Sequence, residues 1–193
     1  MSQRRLLTKK NITLLSTAVV AIIAALNQSG ALPQNVADSA KQNQPGLYSV
    51  VRFIDGDTIA VDMNGKTESV RMIGIDTPET HKPNSPVQCY GPAASAYTKN
   101  IIGQQKVRLE ADSKNTNRDR YDRLLRYVYL PDGRLIAKEL ISHGYGFAYT
   151  QFPFSKTEEF VDAEKSAEQA KAGLWGNCAV TVQSNGRKQT NNL

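Results

Sequence analysis

The stretch Thr58–Thr80, "TIAVDMNGKTESVRMIGIDTPET", decides how the first half of the chain folds. Two β-branched runs, "TIAVDM" and "ESVRMIGI", meet at Asn64-Gly65, the strongest short-range signal for a tight hairpin turn. Alternation of Ile59, Val61 and Met63 marks a strand with one buried face. The second run carries an arginine, Arg71, among core-type residues and leads into two carboxylates, Asp76 and Glu79, around a Thr77-Pro78 step. Asp55 and Asp57 stand just upstream in "IDGDT". Four acids and an arginine within about one hairpin have the density of a site rather than of a solvated surface.

Outward from this hairpin, "YSVVRFI", "KVRLEA" and "RLLRYVYL" supply further strands, with Pro131-Asp132-Gly133 as a turn. Three helices are expected. "GPAASAYTKNIIG" opens at Pro92 and stops at Gly103, and "RLIAKELISHG" is ended by Gly144 in the left-handed stop position. The last helix starts at Ser155 with a Ser155/Glu158 capping box and runs to Gly173. Five strands with helices interleaved and appended give an α+β domain with a small closed sheet, for which an OB-type barrel is one topology among several.

The 24 basic and 18 acidic residues leave a net charge of +6. Arg4, Arg5, Lys9, Lys10, Arg187 and Lys188 account for all of it, so Asp38 to Cys178 is neutral. Phosphate recognition must therefore rest on local clusters. One is Lys114, Arg118, Arg120, Arg123, Arg126 and Arg134, against Asp112, Asp119, Asp122 and Asp132. A basic start, the apolar run 12–26 and a small-residue step at Ser29-Gly30-Ala31 make residues 1–31 a signal peptide or, uncleaved, a membrane anchor. The run is short for a bilayer span, which needs roughly 20 residues. Residues 32–46 then form a linker, 47–178 the domain and 179–193 a disordered tail. The domain is expected outside the cytoplasm, secreted, periplasmic or membrane-attached through residues 12–26, and monomeric without a stable protein partner. Two cysteines far apart in an exported chain favour a Cys89–Cys178 disulfide over a metal site. It would close a loop of about 90 residues and contribute about 4 kcal/mol.

Asp57, Asp76, Thr77 and Glu79, taken as a set, could offer two carboxylates and a backbone carbonyl to Ca²⁺ or Mg²⁺. Taken singly, "DGDT" and "DTPET" are equally compatible with turns and Asx motifs. Arg71 either meets a phosphate in bidentate fashion or pairs with a neighbouring carboxylate such as Asp57. The loop "NTNRDRYD" offers Arg123 and Tyr121 beside a rigid sheet, as phosphate and base contacts or as plain surface. A serine or cysteine triad is disfavoured because His81 and His143 have no evident partner, and no nucleotide-cradling glycine loop is present. Metal-assisted attack of water on a phosphate ester remains.

These residues, taken in order, are similar to the thermonuclease (staphylococcal nuclease) family. "FIDGDT" from Phe53, "VRMIGIDTPET" from Val70, "YGPAASAYTK" from Tyr90, "DRYDRLLRYVY" from Asp119 and "EKSAEQAKAGLWG" from Glu164 resemble its motifs from about Tyr48 to Gly176. The resemblance implies a five-stranded OB-fold β-barrel with three α-helices, and Ca²⁺-dependent hydrolysis of phosphodiesters in DNA and RNA that leaves 3′-phosphates. It implies Asp57, Asp76 and the Thr77 carbonyl as metal ligands, and Glu79 as the acid that orients or deprotonates the attacking water. Arg71 and Arg123 would hold the scissile phosphate, while Arg120, Tyr121 and Tyr149 would contact substrate. Two departures stand out: alanine replaces the acid of the family's "YGPEA", and Asp122 replaces the glycine of its "KYGR", placing a negative charge beside Arg123. The alternative is a catalytically weak OB-type module that binds nucleic acid or protein, since this fold also serves as a binding platform.

Overall fold

The structure, a computed structural model, describes residues 46–80 and 86–193. The expected export segment, residues 32–45 of the linker, and His81 lie outside the described residues. The strands are β1 (Leu47–Asp55), β2 (Thr58–Met63), β3 (Lys66–Met72), β4 (Ile75–Asp76), β5 (Lys106–Glu110), β6 (Leu124–Tyr129), β7 (Phe147–Ala148), β8 (Val180–Val182) and β9 (Lys188–Thr190). Helices α1 (Gly91–Ile102), α2 (Ile136–Ser142) and α3 (Thr157–Gln169) are joined by a single turn, α4 (Leu174–Asn177).

The Asn64-Gly65 turn places both residues at positive φ, 56° and 84°, and its twist matches the β2–β3 hairpin it joins. The barrel closes in the order β1-β2-β3-β6-β5, the five-stranded OB-fold expected. Irregular register in β1 at Val50/Arg52 and Phe53/Asp55 bends this strand, which pairs with β2 and with β5. β3 and β6 run parallel, with Val70 opposite Leu124 and Arg71 opposite Leu125. Ile59, Val61, Val70, Met72, Val107 and Val128 line the interior, where they meet Ile102 of α1, Leu140 of α2 and Phe160 of α3, all fully or almost fully buried. Removing these side chains from water is the main force closing the barrel.

Helix α1 has Pro92 in its first turn and ends at Gly103, and Gly144 follows α2 at φ 69°, as expected. Helix α3 begins at Thr157, two residues later than expected, and no capping box forms. The physical reason is Asp112. Its buried carboxylate accepts the Ser155 amide at 2.6 Å and the Ser155 hydroxyl at 2.8 Å, which orients Ser155 on Asp112, and no side chain caps the first amides of the helix. Tyr127 of β6 donates to the same carboxylate at 2.5 Å. Asp112 thereby fastens the loop after β5 to β6 and to the start of α3.

Most of the basic cluster is dispersed by folding. Arg126 is buried and donates to the Asn117 side chain at 2.6 Å, and Arg118 pairs with Glu68 of β3 at 2.9 Å. Arg134 pairs with Asp132 at 2.9 Å. Asp122 adopts φ 63°, a left-handed conformation in which glycine carries no Cβ penalty, which accounts for the glycine of the family motif. Its carboxylate is 3.5 Å from Arg118 Nε, while the ion pair of Arg123 is with Asp119.

Residues 179–193, expected to be disordered, form the β8–β9 hairpin. Its base is fastened where the sequence gives no local pattern. The Cys89–Cys178 disulfide joins the segment before α1 to the segment after α4, with Cα atoms 5.9 Å apart. The Cys89 amide donates to Asn191 O at 2.8 Å, and the Leu193 amide to Val87 O at 2.9 Å.

Burial opposes ionisation of Asp112, but hydrogen bonds from Ser155, Tyr127 and Lys114 outweigh it and hold the carboxyl at about 2, below 3.8. A depressed native value stabilises the fold in full above the unfolded value near pH ~4, and that stabilisation is lost as pH falls through about 2. Denaturant titrations are expected to show about 2 kcal/mol of acid-labile stability that is absent from Asp112→Asn. At the left-handed position, Asp122→Gly is expected to leave thermal stability within about 0.5 kcal/mol of wild type, and Asp122→Val to lower it by about 1–2 kcal/mol.

Candidate active site

The hairpin register puts Thr58 of β2 opposite Arg71 of β3, so Asp57 enters the sheet beside Met72, whose amide donates to Asp57 O at 2.9 Å. β3 and β4 are separated by Ile73-Gly74, and β4 pairs with β7 through Asp76 opposite Phe147. This brings the two acidic phrases together. Asp57 Oδ2 accepts the Thr77 amide at 2.9 Å and the Thr77 hydroxyl at 3.1 Å, and Oδ1 accepts Thr58 Oγ1 at 2.9 Å.

Arg71 bridges the pair. Its Nη2 lies 3.1 Å from Asp57 Oδ2 and 3.2 Å from Asp76 Oδ1, while Nη1 donates to the carbonyls of Met72 and Ile75 at 3.0 and 2.7 Å. Of the two alternatives raised for Arg71, the pairing with a neighbouring carboxylate is the one seen, with Asp76 as a second partner beside Asp57. Asp57 and Asp76 are only 6% and 8% exposed, so their charges require compensation inside the protein. Burial pushes the Asp76 carboxyl above its ordinary value; Arg71 pulls against that, the Asp57 charge adds to it, and Arg187 pulls it back.

Glu79 stands three residues beyond Asp76 and is half-buried. Its backbone is clamped by Gln88, whose Oε1 accepts the Glu79 amide at 2.8 Å and whose amide donates to Glu79 O at 2.9 Å. Thr80 donates to Asp55 Oδ1 at 2.9 Å, an atom that also accepts Gly56 N and Ser95 Oγ of α1. The start of α1 packs directly on this turn: a Cβ on Gly91 would stand 2.9 Å from Glu79 O and 3.0 Å from Pro78 O. Asp55, one of the four acids of that stretch, thus holds the turn together with Gln88 and Gly91, two residues that no sequence signal marks.

Arg123 is bound to Asp119, with Nε and Nη2 both 2.7 Å from Oδ2. It immediately precedes Leu124, the partner of Val70, so the parallel β3–β6 register carries it to the same end of the barrel as Arg71. Tyr121 is 65% exposed, and the guanidinium carbons of Arg120 and Arg123 lie 4.8 and 5.3 Å from its ring centroid. A solvent-facing ring flanked by two cations suits a stacked base and its phosphates. Tyr149 lies elsewhere: its amide donates to Gly74 O at 2.8 Å, and it lines a pocket of about 180 Å³ with Asp76.

A residue absent from every sequence expectation completes the cluster. Arg187 of the C-terminal hairpin donates from Nε to Asp76 Oδ2 at 2.8 Å and from Nη2 to Oδ1 at 3.2 Å. The signal available was Asn185-Gly186, the same turn dipeptide that marks the β2–β3 hairpin, together with Cys178 as a tether.

The donor set fits a hard divalent cation. Two buried carboxylates have oxygens close enough for one guanidinium nitrogen to touch both, and their charge is met here only by arginines. Among the described residues no group of three or more His, Cys, Asp or Glu side chains could hold a metal, so a cation here would have two carboxylates from the protein and would need backbone carbonyl and water for its other positions.

Comparison with known proteins places the chain among nucleases. The thermonuclease of Staphylococcus hyicus is 41% identical over 167 residues, 86% of this chain and 95% of that protein. The thermonuclease of Staphylococcus intermedius is 40% identical over 158 residues, covering 81% and 90%. Endonuclease YncB of Bacillus subtilis is 40% identical over 153 residues, covering 77% and 72%. Residues 69–177 match the family model described as "Staphylococcal nuclease homologue". The order of its motifs, its barrel and these relatives together make the chain a member of the staphylococcal nuclease family.

Proposed function

We propose that this nuclease hydrolyses phosphodiester bonds of both DNA and RNA with Ca²⁺, by attack of water, and leaves 3′-phosphate ends. The observation that carries the proposal is the pair of buried carboxylates, Asp57 and Asp76, converging on one nitrogen of Arg71 with Glu79 three residues beyond. Asp57, Asp76 and the Thr77 carbonyl would hold the metal, which when bound polarises the phosphate and favours ionisation of water. Glu79 accepts the proton of the attacking water; its clamped backbone fixes the approach. Arg71 and Arg123 bind the scissile phosphate and offset the charge that grows on its oxygens in the transition state. Their planar forks suit two phosphate oxygens at once. Arg120, Tyr121 and Tyr149 contact the flanking nucleotides through charge and ring faces, which every base can meet, so base specificity is low.

The Cys89–Cys178 disulfide supports work outside the cytoplasm, where such bonds persist. A binding-only module of this fold would have no use for a clamped Glu79 beside a carboxylate pair.

Release of acid-soluble nucleotides from DNA and from RNA tests the proposal. Activity is expected with Ca²⁺ and loss of it with chelator, and Glu79→Ala is expected to lower kcat by about 10²–10⁴-fold. Equal activity with chelator, or full activity in Glu79→Ala, would overturn the mechanism. Gly91→Val, which pushes a side chain into the Pro78 and Glu79 carbonyls, is expected to lower kcat by about 10–100-fold. Circular-dichroism melting of that variant checks that the barrel survives.

A further inference from the structure

The C-terminal hairpin is built onto the active site rather than draped beside it. Its base is tied by the disulfide, by Cys89 N to Asn191 O, and by Thr190 Oγ1 to Cys89 O at 2.9 Å. Its side is tied by Lys188, whose Nζ donates to Glu164 Oε2 at 2.6 Å; Glu164 of α3 is buried, and its other oxygen accepts the Ala148 amide at 3.1 Å. Between these fastenings Arg187 projects to Asp76 as a two-toothed fork, yet its side chain stays 39% exposed. Its open side faces the pocket lined by Tyr149, Gln151 and Lys188.

We infer that Arg187 is a further substrate-binding residue of this nuclease, taking a backbone phosphate next to the scissile one. This rests on the function proposed above. Once a divalent cation meets the charge of Asp76, that carboxylate no longer needs the guanidinium, and the anchored hairpin keeps the fork at the mouth of the site. A planar guanidinium matches two phosphate oxygens as well as it matches two carboxylate oxygens. Tyr149 adds a ring on the same pocket, and a cation beside a ring is the combination that recognises a single strand without reading its sequence. The Asp76 contact seen here holds Arg187 in place and compensates a buried charge.

The test uses full-length protein carrying Glu79→Ala, so that substrate is bound and not cleaved, with a fluorescein-labelled oligothymidylate in Ca²⁺ at several NaCl concentrations. Adding Arg187→Ala is expected to weaken binding about tenfold. The slope of log affinity against log salt is expected to fall by about 0.7, the loss of one phosphate contact. Arg187→Lys is expected to retain the slope and recover part of the affinity. With Glu79 intact, Arg187→Ala is expected to raise KM while kcat changes by no more than about twofold. Unchanged affinity and slope would overturn the inference. So would tighter Ca²⁺ binding by calorimetry with faster turnover, which would make the Asp76 contact a block. Absence of Ca²⁺-dependent cleavage by wild type would instead sink the proposed function, and the anisotropy measurement would still report on Arg187 itself.

Discussion

Asp57 is the joint on which the site depends. One carboxylate at the entry to β2 accepts both polar groups of Thr77, twenty residues further on, and meets Arg71 of the neighbouring strand. With Asp57 fixed, the turn after β4 has one position relative to the barrel, and Asp76 and Glu79 follow from it. The cost is two like charges buried side by side, which only cations can offset. That demand explains why arginines approach from two directions, Arg71 from within the sheet and Arg187 from the far end of the chain.

The supports of the site form a closed circuit. From Asp57 the contacts run to Thr77, along the backbone to Glu79, across to Gln88 and to Cys89, whose disulfide and hydrogen bonds lead to Cys178 and Asn191. The hairpin then returns to Asp76 through Arg187. Barrel strands set one side of this ring and the disulfide sets the other. A small domain with a modest core gains from such a crosslink, because it limits the freedom of the unfolded chain more than it adds native contacts.

Arginine serves two purposes in this molecule, and position separates them. Arg126 and Arg118 spend their donors on Asn117 and Glu68, holding the 117–123 loop to the barrel. That loop in turn presents Arg120, Tyr121 and Arg123 at the end of the parallel strand pair where Arg71 stands. Charge counting along the sequence treats all of them alike; their partners tell them apart, Glu68 and Asn117 for Arg118 and Arg126, and the Tyr121 ring for Arg120 and Arg123.

The sequence by itself determined the barrel strands, the Asn64-Gly65 hairpin, the stops at Gly103 and Gly144, and the acidic phrases around Asp57 and Asp76. These are local: a period of two, a positive-φ dipeptide, or a motif of a few adjacent residues states its own conformation. The tertiary structure alone decided that Ser155 serves Asp112 rather than its own helix, that Asp122 faces Arg118 rather than Arg123, and that the tail is an ordered hairpin placing Arg187 on Asp76. Each of these depends on which of several compatible partners lies nearest once the chain has closed. The Arg187–Asp76 pair spans 111 residues, and no local pattern encodes a contact made by a disulfide and a barrel acting together.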